Sequence, residues 1–323
     1  MADKHLISAD RGVALKTRPD RKTLIIIAAA ALALLGLLIV LIFAARPADM
    51  PETAPSVTAA PAQDAPYDAA RPADATQRVP ADTSAEILQR AAVRRDGFPL
   101  LRWDVEAFVT DAEGRMRYTG GAATLTGIDV SEHQGEIDWS RVAADGVDFA
   151  IIRVGRRGST AGGIYEDEYF RRNIAGATAA GLRVGVYFYS QAIDEREAAE
   201  EAAWVLEMIA PYEITFPVVF DWEIVGGAEA RTYTVSRQTL CAATRAFCGA
   251  VAEAGYEPMI YFTRYLGYRK YILRNLTDYG FWYAEYEDRP RTAFDFDIWQ
   301  YSDTGSVAGV DGNVDLNIYF VRN

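Results

Sequence analysis

Two acidic residues, Asp221 and Glu223, stand one residue apart at the end of an apolar run, FPVVFDWE (216–223). The run is typical of a buried β-strand. Because side chains alternate along a strand, both carboxylates should face the same way and Trp222 the opposite way. Two carboxylates at close range disfavour double ionisation, so the pKa of one of them should rise. A carboxylic acid with a raised pKa can protonate a leaving group near neutral pH, so the pair predicts general acid catalysis.

Other acidic and aromatic residues occur at similar places in the pattern. Asp129 ends an earlier strand-like run, GIDVS, and Asp315 lies in the last one, GNVDLN. Aromatic rings beside acids suit a sugar, whose C–H faces stack on the rings while its hydroxyl groups bond to acids and amides. The candidate substrate-binding residues at the strand ends are Tyr187, Tyr189, Tyr261, Trp282, Tyr286, Trp299 and Gln300.

The composition of the chain excludes some classes of reaction and partner. Acid pairs in a chain with only two histidines favour glycoside hydrolysis over metal-dependent chemistry, so we expect no metal and no cofactor. The net charge of −12, with no basic cluster outside the N-terminus, argues against nucleic acid as a partner.

A D-x-E pair alone is a weak signal, because acids at strand ends also cap helices or pair with arginine. Asp138, in EIDWSRV, has the position of such a helix cap and is interpreted as structural. Arg153 at the end of the second strand could neutralise the acids. His133 is interpreted as a hydrogen-bonding residue rather than a general base.

The pattern of the chain predicts the elements that must position these residues. Strand-like runs occur at 126–131, 147–155, 183–190, 216–223, 257–262, 281–286, 296–302 and 314–320, with helical patterns such as 167–182 and 195–212 between the early ones. This alternation predicts a parallel sheet with helices outside, and eight strands favour a closed, TIM-like β/α barrel with an incomplete helical ring. The carboxyl ends of its strands would form the mouth that holds the acids. An open doubly wound sheet is the alternative.

Two cysteines lie in a further helical pattern, RQTLCAATRAFCGAVAEAGY (237–256). Cys241 and Cys248 are separated by a helical rise of about 10 Å, whereas a disulfide needs Cα atoms within about 7 Å of each other. We therefore expect two small buried residues on one helix face rather than a bridge.

The N-terminal part of the chain has a different character. Residues 24–45 carry no charge and are about as long as a helix that spans a bilayer. A cleaved signal peptide is the weaker alternative, because its apolar core is usually shorter. Basic residues dominate the preceding tail, 1–23, so the positive-inside rule places the N-terminus in the cytoplasm and everything after residue 45 outside.

Two further segments separate the apolar stretch from the main domain, which we place at 124–323. Residues 46–84 are rich in Pro, Ala and small polar residues, and they predict a disordered, extended linker. The structure of 85–123 is left open by its sequence. Apolar alternation around DAEG predicts a hairpin there, either as an independent small element or as an extension packed on the main domain.

The later part of the chain, from residue 126 to the C-terminus, resembles the family 25 glycoside hydrolases, which are lysozyme-type muramidases of bacteria and phages. The motifs that carry this resemblance, in matching order, are GIDVSEHQGEIDW (127–139), FAIIRVGRRG (149–158), GLRVGVYFYSQA (181–192), PVVFDWE (217–223), AGYEPMIYF (254–262) and WQYSDTGSVAGVDGNVDLN (299–317). The resemblance does not cover residues 1–123. It implies a modified β/α barrel with five β/α units followed by strands that lack helices.

The resemblance also implies a substrate and residue roles. The substrate would be peptidoglycan, cleaved at the β-1,4 bond between N-acetylmuramic acid and N-acetylglucosamine. Glu223 matches the catalytic acid and Asp221 its partner, while Asp129 and Asp315 would line the same groove. Phe188 stands where many members have histidine, so a polar contact made there by those members would be missing in this chain.

Together these features lead us to expect a monomeric, membrane-anchored cell-wall hydrolase. A permanent anchor confines cutting to nearby wall, which suits growth, division or remodelling better than phage lysis. The alternative is a peptidoglycan-binding or scaffold protein that uses the same groove without turnover. The presence of all four acids favours the enzyme.

The predicted topology can be tested on intact cells that carry an N-terminal epitope tag. Added protease should remove the C-terminal body and leave the tail 1–23 attached to the membrane, as seen by immunoblotting. Permeabilised cells, in which both parts should be digested, provide the control. Protection of the body in intact cells would contradict this topology.

Overall fold

The computed structural model describes residues 97–226 and 230–321. The predicted tail, 1–23, apolar span, 24–45, and linker, 46–84, lie outside these residues, as does the start of the predicted extension. No helix within the described residues is long and apolar enough to cross a bilayer.

Strands and helices alternate in the first part of the described domain, whereas its last strands follow one another without an α-helix between them. The strands are β1 (Phe108–Thr110), β2 (Met116–Tyr118), β3 (Thr124–Val130), β4 (Phe149–Arg157), β5 (Ile164–Glu166), β6 (Arg183–Ser190), β7 (Val218–Trp222), β8 (Pro258–Thr263), β9 (Gly280–Ala284), β10 (Ile298–Gly305) and β11 (Val314–Phe320). The helices are α1 (Trp139–Ala144), α2 (Phe170–Ala179), α3 (Glu195–Ile209), α4 (Arg237–Glu253) and α5 (Arg264–Arg269).

Eight strands of the described chain close into a barrel in the order β3, β4, β6, β7, β8, β9, β10, β11, with β11 pairing back to β3. Strands β3 to β10 of the barrel run parallel, while β11 runs antiparallel to both of its neighbours. The short β5 adds to the edge of β4 as an antiparallel hairpin. Each predicted strand-like run overlaps one barrel strand, so the predicted barrel-like α/β fold is confirmed and the open sheet is not adopted.

The helices α1 to α5 each follow one of the first five barrel strands, in agreement with the fold that the resemblance implied. Four of these helices, all except α2, begin after a residue whose side chain accepts a hydrogen bond from a backbone N–H of the first turn. Asp138 accepts hydrogen bonds from the Ser140 hydroxyl at 2.6 Å and from the Arg141 N–H at 3.2 Å, and these bonds lower its pKa. The interpretation of Asp138 as a helix cap is therefore confirmed.

The longest of the described helices, α4, carries both cysteines. Cys241 and Cys248 are free thiols and are buried, as their helical spacing predicted. Burial raises the pKa of the Cys248 thiol, so the group remains protonated and behaves as a small apolar residue.

Side chains fill the barrel interior in layers, beginning at the amino-terminal ends of the parallel strands. Phe149 stacks on Phe216 with ring centroids 4.5 Å apart, and Phe216 meets Tyr319 edge-on at 4.9 Å. Gly127 makes room for this layer, because a Cβ there would come within 2.2 Å of the Phe149 ring. The next interior side chains are Tyr187, Val219, Met259, Trp282 and Ile298. These packed side chains keep the barrel strands rigid at one end of the barrel. The opposite ends of the same strands carry the polar residues.

Residues 97–123 pack on the barrel where the helical ring is incomplete. Trp103 stacks on Phe320 of β11 with ring centroids 3.8 Å apart. Phe108 of β1 meets Trp299 of β10 edge-on at 5.1 Å. The strands β1 and β2 form the predicted antiparallel hairpin. The described part of this segment is thus an extension of the main domain, and it covers outward-facing apolar side chains that no helix covers.

Replacement of Trp103 by alanine should lower the free energy of unfolding of the protein by about 2–4 kcal/mol. The variant loses the stacked ring and also the hydrogen bond from Trp103 Nε1 to the Phe296 carbonyl, which measures 3.0 Å. Thermal unfolding followed by circular dichroism measures the change. The control is Val109→Ala on the exposed side of β1, which should have little effect. Equal melting temperatures for Trp103→Ala and the wild type would contradict the covering role of the extension.

Candidate active site

The four predicted acids lie at one end of the barrel. Asp129 near the end of β3 pairs in register with Asp315 at the start of the antiparallel β11, so the two residues are direct neighbours across the strands. Asp221 lies near the end of β7, and Glu223 is the first residue after that strand. Asp129, Asp221 and Glu223 are buried, whereas Asp315 is half-buried. These positions are the carboxyl ends of the parallel strands, where barrel enzymes hold their catalytic groups.

Because side chains alternate along β7, those of Asp221 and Trp222 lie on opposite faces of the strand. Asp221 shares the face of Val219, which belongs to the barrel interior, and lies between Tyr189 of β6 and Tyr261 of β8 in the strand register. Trp222 is fully buried on the outer face, among the side chains under the helices. The two residues therefore face opposite ways, as expected for neighbours on a strand.

One oxygen of Asp129 is the point at which two side-chain amides converge. Gln300 Nε2 and Asn317 Nδ2 each donate to Asp129 Oδ2 at 2.7 Å. Asn317 is fixed in turn, because its Oδ1 accepts a hydrogen bond from Trp282 Nε1 at 2.8 Å. Both amides are almost completely buried. They hold the carboxylate of Asp129 in one orientation, as a hydrogen-bond acceptor at the mouth.

Gln300 also connects this acid to two of the predicted tyrosines. Its Oε1 accepts hydrogen bonds from the hydroxyl groups of Tyr261 and Tyr286, each at 3.1 Å. The ring of Trp282 lies edge-on to Tyr261 at 5.0 Å and to Tyr187 at 6.2 Å. Aromatic walls and oriented amides thus surround the acids, an arrangement that suits a sugar.

Trp299 is not part of this group, and its prediction as a substrate-binding residue is wrong. The side chain is fully buried on the outer face of β10, where it meets Phe108 of the extension and donates from Nε1 to the Glu285 carbonyl at 2.9 Å. The reason is the strand pleat. Because Gln300 faces the interior, the residue beside it on the same strand must face outward.

Sequence reasoning missed Asn317, although a signal was available. Asp315 and Asn317 are two residues apart on β11, as Asp221 and Glu223 are along β7, so they share one face. Tyr271 was also missed, and its sequence context gives no such signal. Burial raises the pKa of Tyr271, and the negative charge of Asp221 adds to the effect, so the phenol remains protonated beside that acid.

Arg153 is fully buried and forms ion pairs with acids outside the predicted four. It meets Asp167 at 2.7 Å and Glu132 at 2.9 Å. His133 is exposed in the turn after β3, where its backbone N–H donates to Ser131 Oγ at 3.3 Å. Residues 97–226 and 230–321 contain no group of three or more His, Cys, Asp or Glu side chains that could hold a metal ion.

Phe188, which stands where many members of the resembled family have histidine, lies away from the acids. Its ring is fully buried on the outer face of β6, where it meets Trp204 of α3 edge-on at 5.7 Å. A histidine at this position would face the helix layer rather than the mouth. The absence of a polar group here therefore leaves the acid site unchanged.

Replacement of Asn317 by aspartate should destabilise the protein more at pH 7.5 than at pH 4.5. The new carboxyl would be buried beside Asp129, which raises its folded-state pKa above the unfolded value of about 4. Stability is then lost as the pH rises above that value, because the unfolded chain releases the proton more easily.

The matched control is Asn317→Leu, which removes the donor to Asp129 without adding a charge, so its loss of stability relative to the wild type should vary less with pH than that of Asn317→Asp. Thermal unfolding of both variants at the two pH values measures the difference. Parallel behaviour of the two variants would contradict the placement of Asn317 against Asp129.

Comparison with known sequences places the barrel in a family. The profile of glycosyl hydrolases family 25 matches residues 128–310. An autolytic lysozyme of Clostridium acetobutylicum is 28% identical over 195 residues, which are 60% of this chain and 55% of that protein. Lysozyme M1 of Streptomyces globisporus is 28% identical over 207 residues, which are 60% of this chain and 67% of that protein. The chain thus matches little more than half the length of the first relative.

A solved structure has the same fold. The modular autolysin LytC from Streptococcus pneumoniae, in complex with a synthetic peptidoglycan ligand, gives a TM-score of 0.54 at 25% identity. The likeness covers 66% of this chain and 52% of LytC. The family match extends over more than half of the 323 residues and includes Asp129, Asp221 and Glu223. The chain therefore belongs to family 25 of the glycosyl hydrolases.

Proposed function

We propose that the protein is a lysozyme that hydrolyses peptidoglycan at the β-1,4 bond between N-acetylmuramic acid and N-acetylglucosamine. The observation that carries the proposal is the meeting of buried acids with oriented amides and aromatic rings at the mouth of a family 25 barrel. Two relatives named as lysozymes and a structural neighbour solved with a peptidoglycan ligand support the choice of substrate.

In this proposal Glu223 is the general acid. Its carboxyl gives a proton to the oxygen of the glycosidic bond as the bond from that oxygen to the anomeric carbon breaks. Water supplies the hydroxyl group that completes hydrolysis, and its remaining proton returns to a carboxylate. Asp221, two residues earlier in the chain, keeps negative charge beside the acid, which favours the protonated form of Glu223.

Asp129 has a different role, because two amides already donate to one of its oxygens. A carboxylate held in this way is suited to stabilise the positive charge that develops at the anomeric carbon, rather than to give a proton. Asp315, its neighbour across the strands, adds negative charge at the same edge of the mouth.

The sugar rings of the substrate would lie against the aromatic wall. Tyr261 and Tyr286 present hydroxyl groups that Gln300 orients, and Tyr189 lies level with Asp221 in the register. Tyr187 and Trp282 form the base of this wall within the barrel. Such groups position the bond to be cleaved against the acids.

The proposal extends to location. Residues 24–45 would anchor a monomeric protein in the cell membrane, with the N-terminus in the cytoplasm and the catalytic domain on the wall side. The support is the uncharged sequence of this segment and the basic residues before it. Cutting would then be limited to wall within reach of the linker, 46–84, which suits wall remodelling.

Digestion of purified peptidoglycan by the full-length protein tests the activity. The wild type should release new reducing ends, and Glu223→Gln should lower the rate at least about 100-fold, because the amide cannot supply the proton. The matched control is Glu136→Gln on the exposed surface, where the side chain pairs with Arg172 at 2.7 Å. This variant should keep the wild-type rate.

Borohydride reduction of the products identifies the bond. Reduced N-acetylmuramic acid at the new ends is expected, whereas reduced N-acetylglucosamine would overturn the assignment of the bond. Binding of peptidoglycan without release of reducing ends would favour the non-catalytic scaffold instead. Equal rates for the wild type and Glu223→Gln would remove Glu223 from the mechanism.

A further inference from the structure

The backbone ladder between β6 and β7 ends one residue before the proposed acid. The last pair in register is Ser190 with Trp222, and Glu223 follows outside the strand. A residue just past the end of a strand lacks the ladder bonds that hold its neighbours. The backbone position of Glu223 therefore depends on bonds other than those of the ladder.

Side-chain bonds continue the contact between these two chain segments. Trp222 Nε1 donates to the Ala192 carbonyl at 2.9 Å. In the opposite direction, Gln191 Nε2 donates to the Glu223 carbonyl at 2.8 Å and to the Ser190 carbonyl at 2.9 Å. Gln191 is fully buried, so water does not compete for these bonds. Its amide thus supplies at Glu223 the kind of hydrogen bond that the ladder supplies up to Trp222.

Gln191 in turn accepts hydrogen bonds from residues of the loop that follows β7. Arg231 Nη1 donates to the Gln191 carbonyl at 3.0 Å, and the same guanidinium forms a two-pronged pair with Glu197 of α3 at 2.8 and 2.9 Å. Thr232 Oγ1 donates to Gln191 Oε1 at 3.4 Å. This bond leaves the Nε2 end of the amide aimed at Glu223.

The charged pair behind Gln191 is a fixed support. Burial alone would raise the pKa of Glu197, but the hydrogen bonds from Arg231 and from the Ile193 N–H outweigh it and lower the pKa. The carboxylate therefore stays ionised and keeps its bond to the guanidinium. A charge-assisted pair with two parallel bonds restricts the geometry of both side chains.

We propose that Gln191 is a positioning residue for hydrolysis, which fixes the backbone of Glu223 so that its carboxyl meets the glycosidic oxygen. This inference rests on the proposed function. Gln191 does not touch the substrate; it acts through Glu223. A displacement of a catalytic group by about 1 Å can cost as much as 100-fold in rate, so the loss of this single bond should be visible in turnover.

The test compares the full-length wild type with Gln191→Met, which keeps the length of the side chain and removes its donors. We expect kcat on purified peptidoglycan to fall about 10- to 100-fold while KM changes less than about twofold, because the groups that bind the sugar are untouched. Thr232→Val, which removes only the bond to Gln191 Oε1, should lower kcat by a smaller factor. Asn173→Leu, at a fully buried amide on α2, is the control that should keep the wild-type kcat.

A second measurement does not depend on activity. Hydrogen–deuterium exchange of segment 221–226 should be at least about tenfold faster in Gln191→Met than in the wild type, while exchange in α4 should be unchanged. If Gln191→Met does not fold, Gln191→Glu replaces it in both measurements, since it keeps the shape and places an acceptor against the Glu223 carbonyl.

The outcomes separate the two proposals. Wild-type kcat and unchanged exchange of 221–226 in the Gln191 variant would overturn the positioning role and leave the proposed function intact. An inactive wild type whose exchange rises in the variant would overturn the proposed function and leave Gln191 only as the residue that fixes the Glu223 backbone. An equal loss of kcat in Gln191→Met and Asn173→Leu, with hydrogen–deuterium exchange raised throughout the domain, would contradict the positioning role. Gln191 would then contribute only to the stability of the domain.

Discussion

Closure of the barrel by the antiparallel strand β11 is the constraint on which the acid site depends. β11 fills the gap between β3 and β10, and because it runs against them its first residues lie beside their last ones. This reversal carries Asp315 and Asn317 to the mouth. A parallel strand in the same place would put these residues at the amino-terminal end, among the packed rings. The carboxylate of Asp129 receives its two amide donors only because β11 joins β10 to β3 in this way.

The rigidity of the mouth comes from layers that surround it. Below the acids, the stacked rings of Phe149 and Phe216 leave little freedom for the strands to move. Outside, helices cover the first five barrel strands, and the extension covers the last ones through Trp103 and Phe108. The extension therefore has a structural explanation within the described residues: it seals apolar faces that the incomplete helical ring leaves open.

Polar groups at the mouth are joined in networks rather than in isolated pairs. Gln300 links two tyrosines to Asp129, and Gln191 links the loop after β7 to the backbone of Glu223. In both places a buried amide uses its donor and its acceptor ends at once, so the flanking groups fix its orientation. Such an arrangement holds charged residues in place without a large apolar contact, which the open end of a barrel cannot provide.

The sequence by itself determined the eight barrel strands, the helix cap at Asp138, the state of the cysteines and the family. Each of these follows from local periodicity, capping chemistry or a motif, which need no knowledge of distant contacts. The pleat alone could also have shown that Trp299 and Gln300, neighbours on one strand, do not both face the interior. Only the tertiary structure decided which side chains meet. The amides meet Asp129, Tyr271 lies beside Asp221, and Gln191 bonds to Glu223, although the partners are distant in the chain. Strand pairing around the closed barrel brings these residues together.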